Sequence, residues 1–281
     1  MGGRGMAGHL IVDYFSQTNA HEVWSTVRGR LDNLRTLPLD VTDELGLSAV
    51  LHRIRPDLVI NAAGLLNDHA GRNIRDAIHV NSLLPHKLAQ YGERLGFRLI
   101  HISTDCVFSG NRGDYNETDA TCGTTVYART KQLGEVKDDS NLTIRTSIIG
   151  PELKMDGIGL FHWFIGQRGT VKGYKQVIWN GVTTLQLAKA IDWTLGHPVT
   201  GLAHLASPNK IAKFELLQHM KTVFGKDGIN IEPDDGYRSD KSLVNTRPDF
   251  AVDVPDYPDM LAELKSWMET CREARYGHYV I

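Results

Sequence analysis

The segment Phe97-Arg-Leu-Ile-His-Ile-Ser-Thr-Asp105 and the later segment Val126-Tyr-Ala-Arg-Thr-Lys131 decide the fold of this chain. The first is a short apolar run that ends in two hydroxyl side chains, which is typical of a strand buried in a parallel sheet. The second has helical character, and its Tyr127 and Lys131 stand four residues apart, so they share one helix face. A strand followed by a helix predicts a βαβ unit, with polar side chains gathered where the strand ends.

Short apolar runs alternate with amphipathic stretches over the first two-thirds of the chain, which extends this pattern. We predict helices over residues 9–18, 43–54 (with Thr42 as N-cap), 74–95 (ended by Gly96), 125–137, 185–195, 214–223 and 260–275, and strands over 22–27, 57–63, 97–102 and 142–147. The aromatic stretch 160–165 is interpreted as core or lobe interface. The sequence therefore predicts an α/β protein with a Rossmann-like doubly wound parallel sheet. Residues 1–150 would form the dinucleotide-binding domain, and residues 151–281 mainly a small C-terminal substrate lobe, with segments returning to the main domain.

The chain opens Met1-Gly-Gly-Arg-Gly-Met-Ala-Gly8, which spaces Gly2, Gly5 and Gly8 three residues apart. Such a turn brings backbone N–H groups and a helix N-terminus against a pyrophosphate, although a lone glycine motif is a weak signal. A doubly wound sheet has a central strand immediately before this turn, and that first strand is missing from this chain. Three explanations stay open: a misassigned or truncated start, another segment (for example from a partner chain) in the vacant position, or a degraded cofactor site.

The next strand ends bear on the choice of cofactor. Arg28 follows a predicted strand, and an arginine there can bind a 2′-phosphate and so favours NADP over NAD. The alternative is that Arg28 and Arg30 are solvated loop residues. Asp40 and Val41 follow the next predicted strand and are expected to line the adenine. The small residues 61–64 leave room for the nicotinamide ribose, unless they form only a tight turn.

Tyr127 and Lys131 indicate proton transfer. A free tyrosine ionises near ~10 and is a poor acid at neutral pH, but a nearby cation stabilises the phenolate. The pair suits an enzyme that protonates a carbonyl oxygen as hydride reaches the carbon. Most such pairs are only solvated helix faces; the glycine-rich start and the two polar strand ends, in the expected order, favour the catalytic interpretation here.

Composition excludes several classes of protein. A formal net charge of −2 over 281 residues gives no indication of nucleic-acid binding or of an acidic membrane surface. The three cysteines are scattered, which fits a reducing cytoplasm, and no apolar run approaches the ~18 residues of a membrane span. The twelve histidines are dispersed, so no metal site is predicted, and His101 is expected to be a packed core residue.

Three blocks together resemble the extended short-chain dehydrogenase/reductases, and in particular the dTDP-4-dehydrorhamnose reductase family: residues 103–110, residues 115–119, and Tyr127-x-x-x-Lys131-x-x-Gly134-Glu135. The resemblance implies NADPH-dependent reduction of a keto group on a nucleotide-activated deoxysugar, as in dTDP-rhamnose and polysaccharide biosynthesis. It assigns Thr104 to the substrate carbonyl oxygen and Tyr127 to proton donation. Lys131 would bind the nicotinamide ribose and lower the tyrosine pKa. Ser103 is interpreted as a simple strand-end hydroxyl.

The resemblance also implies two further sets of residues. Those expected to bind NADP(H), with NAD(H) as the alternative, are Gly2, Arg4, Gly5, Met6, Gly8, Arg28, Asp40, Val41, Asn61, Ala62, Ala63, Tyr127 and Lys131. Those expected to bind the nucleotide-sugar substrate are Thr104, Asp105, Val107, Phe108 and Trp179. A homodimer is considered as the assembly.

The sequence departs from the family at Cys106 (usually tyrosine), in the loop 65–69 and over residues 179–184, so the particular sugar is open. A sugar-nucleotide epimerase or dehydratase on the same fold is one alternative, and Asp105 supports it. A non-catalytic, NADP-binding regulatory subunit is another, since the regulatory subunit of methionine adenosyltransferase resembles the same family. The intact Thr104, Tyr127 and Lys131 argue against that subunit.

Overall fold

The computed structural model describes residues 1–18, 20–29, 31, 33–271 and 275–279. In chain order the strands are β1 (Ser25–Val27), β2 (Thr36–Pro38), β3 (Leu58–Asn61), β4 (Arg98–Thr104), β5 (Leu142–Thr146), β6 (Ile148–Ile149), β7 (Gly169–Trp179), β8 (Val182–Thr183), β9 (Gly201–Leu205), β10 (Ile211–Ala212) and β11 (Ile229–Asp240). The α-helices are α1 (Met6–Gln17), α2 (Glu44–Ile54), α3 (Asn67–Arg72), α4 (Ile74–Ala77), α5 (Leu84–Leu95), α6 (Val126–Leu133), α7 (Leu160–Ile165), α8 (Thr184–Gly196), α9 (Lys213–Val223) and α10 (Tyr257–Thr270).

The main sheet is parallel and has the strand order β3-β4-β5-β9. A second parallel pair, β1 with β2, lies beside β3, and no described residue forms a strand between β1 and β3. This arrangement confirms the predicted α/β fold with a Rossmann-like parallel sheet.

Helices cover both faces of the sheet. Successive strand residues point to opposite faces, so the neighbours Leu99 and Ile100 of β4 mark the two sides. Ile100 belongs to a core cluster with Leu10 of α1 and other residues from α8 to α10. Leu99 belongs to a second cluster that contains Leu47 of α2 and Leu88 of α5. The sheet is therefore buried on both sides, and its polar side chains, such as His101, Thr143 and Arg145, are buried as well.

The predicted single helix 74–95 is interrupted. Between α4 and α5 lies a π-helical turn, Ile78–Leu83, and α5 ends as predicted at Gly96, which has a φ of 82°. The π-turn contains the fully buried Asn81. Its side chain bonds both backbone groups of Leu65, each at 2.9 Å, and donates to Thr130 Oγ1 of α6 at 3.1 Å. The turn thus fixes the loop after β3 against the helix that carries Tyr127.

Two other local predictions were wrong. Thr42 does not cap α2; the carboxylate of Asp43 accepts from the amides of Leu45 and Gly46, both at 3.1 Å, and Thr42 bonds Asp40 instead. The loop 65–69, for which no helix was predicted, contains the start of α3. Both errors concern short polar segments, in which several side chains compete for the same backbone groups.

The second half of the chain divides between two sheets. β7 pairs with β11 in parallel and with β10 antiparallel, while β9 and the preceding α8 return to the main domain. The stretch 160–165 forms α7, with Phe161 and Phe164 fully buried, so its interpretation as core was correct. The tail helix α10 starts three residues before its predicted first residue, and residues 272–274 of that prediction lie outside the described residues. A division at residue 150 stays a prediction.

Membrane-spanning helices were sought in the described part of the chain; none there has the length and apolar character that crossing a bilayer requires.

Candidate active site

Thr104 and Tyr127 lie together at the carboxyl end of the main sheet. Thr104 is the last residue of β4; its Oγ1 accepts from the Cys106 amide and donates to Asp105 Oδ1, both at 3.1 Å. Tyr127 sits in the first turn of α6, which is capped by Thr125 Oγ1 accepting from the Ala128 amide at 3.1 Å. The Thr104 side chain lies near enough to the Tyr127 phenol to favour the phenolate by a polar interaction. Two hydroxyls held this way can bind one oxygen atom of a ligand between them.

Lys131 lies one helical turn beyond Tyr127 and is buried. Its Nζ donates to the Ile102 carbonyl oxygen at 2.7 Å and lies 3.2 Å from His101 Nε2. Burial lowers the pKa of Lys131 to about 8, against the opposing charge of Glu135. The amine is therefore buried, and it loses its proton more readily than a free lysine does.

His101 links this lysine to the end of β3. The Ala63 amide donates to Asn61 Oδ1 at 3.2 Å, which fixes the orientation of the Asn61 amide. Asn61 Nδ2 then donates to His101 Nδ1 at 3.2 Å, so the ring hydrogen is on Nε2 and faces Lys131. Burial, and then the charge of Lys131, hold the pKa of His101 well below its usual value. Because an ammonium cannot accept a hydrogen bond, this chain of bonds favours neutral Lys131 in the ligand-free protein.

The expected effect of Lys131 on the tyrosine is not seen in this ligand-free structure. The pKa of Tyr127 is raised, first because burial disfavours the phenolate and then because Cys106 and Asp105 carry like charge when ionised. The polar interaction with the Thr104 side chain opposes these effects. The lysine does not act on the phenol here, since its Nζ is occupied by Ile102 and His101. The phenol therefore keeps its proton at neutral pH.

The glycine-rich turn has the geometry of a phosphate site. Gly2 has a φ of +77°, and a Cβ on Gly8 would lie 2.1 Å from the Gly2 carbonyl oxygen, so the turn and α1 approach closely only because both residues are glycine. α1 begins at Met6 with Gly5 as N-cap, without a side chain that bonds its first amides. A twelve-residue helix with open N-terminal amides suits a pyrophosphate.

Arg28 and Asp40 lie at the opposite end of this cleft, each just after the carboxyl end of its strand. Both are exposed. Hydrogen bonds from Thr42 lower the pKa of Asp40, and the charge of Arg28 adds to the effect. The two side chains are thus near each other, and their contact with an adenosine ribose stays a prediction. Val41 follows and is half-buried.

Three of the residues expected to bind the substrate are buried in this ligand-free structure. Val107 and Phe108 are fully buried, and Phe108 stacks on Tyr115 at a centroid distance of 4.1 Å, so their contact with a substrate stays a prediction. Trp179 is almost fully buried, with its Nε1 bonded to Ser147 Oγ at 2.9 Å. Asp105 remains beside Thr104 as predicted.

Two lysines near Asp105 were missed by the sequence analysis. Lys213 Nζ lies 4.4 Å from the centroid of the Trp179 ring, and burial lowers its pKa to about 8 against the charges of Asp105 and Cys106. Lys241 Nζ donates to Cys106 Sγ at 3.6 Å. Neither lysine has a motif of its own. They reach the site through α9 and the segment after β11, more than a hundred residues along the chain from Asp105.

A buried ion pair between Arg145 and Glu135 lies next to Ser103, the residue before Thr104. Arg145, from β5, donates to both oxygens of Glu135 at 2.6 and 2.8 Å, and Ser103 Oγ donates to the same carboxylate at 3.0 Å. Burial alone would raise the pKa of Glu135, but Arg145 outweighs burial and holds it below its usual value. Ser103 is thus a structural hydroxyl, as the sequence analysis preferred.

Comparison with known proteins identifies the family. Residues 1–236 match the family model described as RmlD substrate binding domain. The dTDP-4-keto-6-deoxy-D-glucose reductase of Streptomyces niveus is 29% identical over 202 residues, which cover 69% of this chain and 70% of that protein. The dTDP-4-dehydrorhamnose reductase of Mycobacterium tuberculosis is 40% identical over 102 residues, which cover 34% of this chain and 33% of that protein.

Solved structures agree on the fold. A hypothetical dTDP-4-dehydrorhamnose reductase from Sulfolobus tokodaii superposes with a TM-score of 0.72 at 27% identity, covering 86% of this chain and 90% of that one. The dTDP-4-dehydrorhamnose reductase of Bacillus anthracis, in complex with NADP, gives 0.76 at 18% identity, covering 95% and 97%. Because the family model spans well over half of the 281 residues, the chain belongs to the RmlD substrate-binding-domain family.

Proposed function

We propose that this protein is an NADPH-dependent reductase of a keto group on a nucleotide-activated deoxysugar, similar to dTDP-4-dehydrorhamnose reductase. The observation that carries the proposal is that Thr104, at the end of β4, lies near Tyr127 of α6, which is one helical turn from the buried Lys131. The named activities of the Streptomyces and Mycobacterium relatives support it. So does the Gly2–Gly8 turn, whose open amides fit a dinucleotide pyrophosphate.

Thr104, Tyr127 and Lys131 have different roles in the proposed reaction. When bound, the nicotinamide supplies the hydride. Thr104 holds the oxygen of the substrate ketone, and Tyr127 donates its proton to that oxygen as negative charge develops on it. The raised pKa of Tyr127 keeps the proton in place until the charge appears. Lys131 binds the ribose hydroxyls, and the bond from His101 keeps its amine pointing at the cleft floor.

The experiment is an NADPH oxidation assay with a panel of nucleotide-linked 4-keto-6-deoxysugars. A reductase consumes one NADPH for each alcohol formed. An epimerase or dehydratase returns its hydride to the substrate and consumes none, so turnover without net oxidation of NADPH would overturn the proposal. A regulatory subunit would show cofactor binding with no turnover, and this result would also overturn it.

Lys213 and Lys241 are expected to bind the phosphates of the nucleotide sugar, since both side chains interact with the charge of Asp105, the residue after Thr104. Lys213→Met should raise the KM for the nucleotide sugar by about 10-fold or more, the cost of a lost charge-assisted contact. The KM for NADPH and kcat should change less than about 3-fold, because neither lysine lies at the cofactor turn.

Lys189→Met is the matched control, because Lys189 pairs with Glu263 on the surface. Its kinetic constants should equal those of the wild type. An unchanged substrate KM in both Lys213→Met and Lys241→Met would show that the phosphates bind elsewhere.

The lowered pKa of Lys131 gives a pH-dependent stability. Between about pH 8 and the ordinary lysine pKa of 10.5, the unfolded chain binds this proton and the folded chain does not, so the free energy of unfolding rises with pH in that window. Relative to Lys131→Met, the wild type should gain about 2 kcal/mol between pH 7.5 and pH 9.5. Urea unfolding of both proteins at the two pH values measures this. A constant difference would show that the lysine titrates normally in the folded state.

A further inference from the structure

Two tyrosines of the segment 275–279 each bond a histidine on another element of the fold. Tyr276 is fully buried, and its hydroxyl lies 2.9 Å from Nε2 of His9 in α1. Tyr279 is almost fully buried, and its hydroxyl lies 2.6 Å from Nδ1 of His162 in α7. The proposed reaction uses none of these four side chains, so it does not account for the two buried polar contacts.

His9 connects Tyr276 to the glycine-rich turn. Its Nδ1 lies 2.9 Å from the Gly5 carbonyl oxygen, which can only accept a hydrogen bond, so the ring hydrogen is on Nδ1. Nε2 is then an acceptor and receives the hydrogen of the Tyr276 hydroxyl. Burial lowers the pKa of His9 to about 4, which keeps the ring in the neutral form that both bonds require. One turn further along α1, Asp13 pairs with Arg275 at 2.8 Å, so two adjacent residues dock on this helix.

The carbonyl that His9 holds belongs to the first residue of the helix end predicted to bind phosphate. Gly5 is the N-cap of α1 and has no side chain to cap the first turn. A glycine has more backbone freedom than any other residue, and the orientation of its peptide decides where the first amides of the helix point. The Gly5 carbonyl oxygen accepts from the His9 amide at 3.0 Å as well as from the His9 ring. The ring thus restrains the amides that would face a pyrophosphate.

The second tyrosine–histidine pair restrains the loop 152–159 in the same manner. His162 Nε2 lies 3.2 Å from the Met155 carbonyl oxygen, so Nε2 carries the hydrogen and Nδ1 accepts from the Tyr279 hydroxyl. The Tyr279 oxygen in turn accepts from the Glu152 amide at 2.8 Å. One tyrosine therefore fixes both the first residue and the middle of this loop.

The loop 152–159 contacts the start of α1. A Cβ on Gly159 would lie 3.2 Å from the Sδ of Met6, the first residue of that helix. The Gly159 amide donates to Glu152 Oε1 at 2.6 Å, which closes the loop on itself. The two restrained segments therefore meet at Met6, one of the residues predicted to bind the cofactor, and one short segment of the chain holds both of them.

We propose that Tyr276 and Tyr279 are positioning residues for the dinucleotide cofactor. Acting through their histidine partners, they hold the glycine-rich turn and the loop 152–159 in the geometry that binds a pyrophosphate. The inference rests on the proposed function, since it requires a cofactor at the glycine-rich turn. Removing either hydroxyl leaves the aromatic ring in place and releases one of the two segments, so cofactor binding weakens while the fold is kept.

The test measures the dissociation constant for NADPH by fluorescence titration of the full chain. Tyr276→Phe should raise it by about 10-fold, because one hydrogen bond is lost and the buried Nε2 of His9 is left without its donor. Tyr279→Phe should raise it by about 5-fold, since His162 is only partly buried and water can replace part of the lost bond. Tyr279→Phe also keeps the inference falsifiable if Tyr276→Phe folds poorly.

Tyr14→Phe is the matched control. Tyr14 lies on α1 as well, and its hydroxyl donates to Asp192 Oδ2 at 3.0 Å, more than one turn beyond His9. This variant also loses one tyrosine hydrogen bond from the same helix. Its dissociation constant for NADPH should stay within about 2-fold of the wild-type value, because the bond lies away from the glycine-rich turn.

Two further measurements separate positioning from a general loss of structure. Adenosine 2′-monophosphate has the adenosine end of NADPH without the pyrophosphate, so its dissociation constant should change less than about 2-fold in Tyr276→Phe. The double variant of His9→Phe with Tyr276→Phe should bind NADPH no more weakly than His9→Phe alone, because the tyrosine acts only through the histidine.

The outcomes distinguish this inference from the proposed function. If the wild type binds NADPH and either Tyr276→Phe or Tyr279→Phe binds it equally well, the inference is overturned and the proposed function stands. Equal losses of affinity for NADPH and adenosine 2′-monophosphate, or additive losses in the double variant, would overturn it in the same way. A wild-type protein that binds no NADPH would overturn the proposed function, and the inference with it.

Discussion

Replacing Tyr127 with phenylalanine is expected to lower kcat by about 10²- to 10⁴-fold, the usual contribution of a general acid. The substitution removes one oxygen atom and its proton, and the ring stays in the first turn of α6. Thr104 would still hold the ketone oxygen, but the developing charge would then take its proton from water. The dissociation constant for NADPH should change less than about 3-fold, because the glycine turn and Lys131 are intact.

Steady-state NADPH oxidation and cofactor titration by fluorescence measure the two quantities. Tyr91→Phe is the matched control, since Tyr91 lies on α5 beside His52 and away from Thr104. A Tyr127→Phe protein with nearly full activity would show that the proton comes from another group. Equal loss of cofactor binding and turnover would show that the phenol acts only through the cofactor site.

Replacing Arg145 with methionine is expected to lower the free energy of unfolding by about 3–5 kcal/mol, the cost of leaving one member of a buried ion pair alone. Glu135 would keep only Ser103 and the half-exposed Lys137 as partners, inside a core that excludes water. Its pKa would rise and it would take up a proton. Phe108 would lose the guanidinium that lies 5.1 Å from its ring centroid.

The double variant Arg145→Met with Glu135→Met separates the charge effect from packing. It removes both charges and keeps most of the volume, so it should be more stable than the single Arg145→Met variant. Urea denaturation of the wild type and both variants gives the comparison. If the free energy of unfolding of Arg145→Met lay within about 1 kcal/mol of the wild-type value, other groups would be stabilising Glu135. The ion pair would then contribute little to stability.

The sequence predicted secondary structure well where the strand and helix patterns are regular. β4 has apolar residues at its centre and ends in two hydroxyls, and α6 begins at a threonine cap, so the elements that carry Thr104 and Tyr127 could be predicted within a few residues. Local rules also predicted the αL glycine that ends α5. These features depend on residues that are close together in the chain. Patterns of this kind can be recognised in a single sequence.

What the sequence could not predict are contacts between distant segments. Nothing local indicates that Lys213 would reach Asp105, or that His101 would lie between Asn61 and Lys131. The π-turn is similar, because the reason for it is the bond from Asn81 to Thr130 on another helix. The stacking of Phe108 on Tyr115 is another contact that no local pattern indicates.

The most direct test of the proposed chemistry is the fate of the hydride. The protein is mixed with NADPH deuterated at C4 of the nicotinamide and with a dTDP-linked 4-keto-6-deoxysugar, and the product is analysed by mass spectrometry and NMR. A keto reductase is predicted to give one deuterium per product molecule, on the carbon that carried the ketone, with one NADP⁺ formed. A product without deuterium, or conversion without oxidised cofactor, would contradict reduction at the site formed by Thr104, Tyr127 and Lys131.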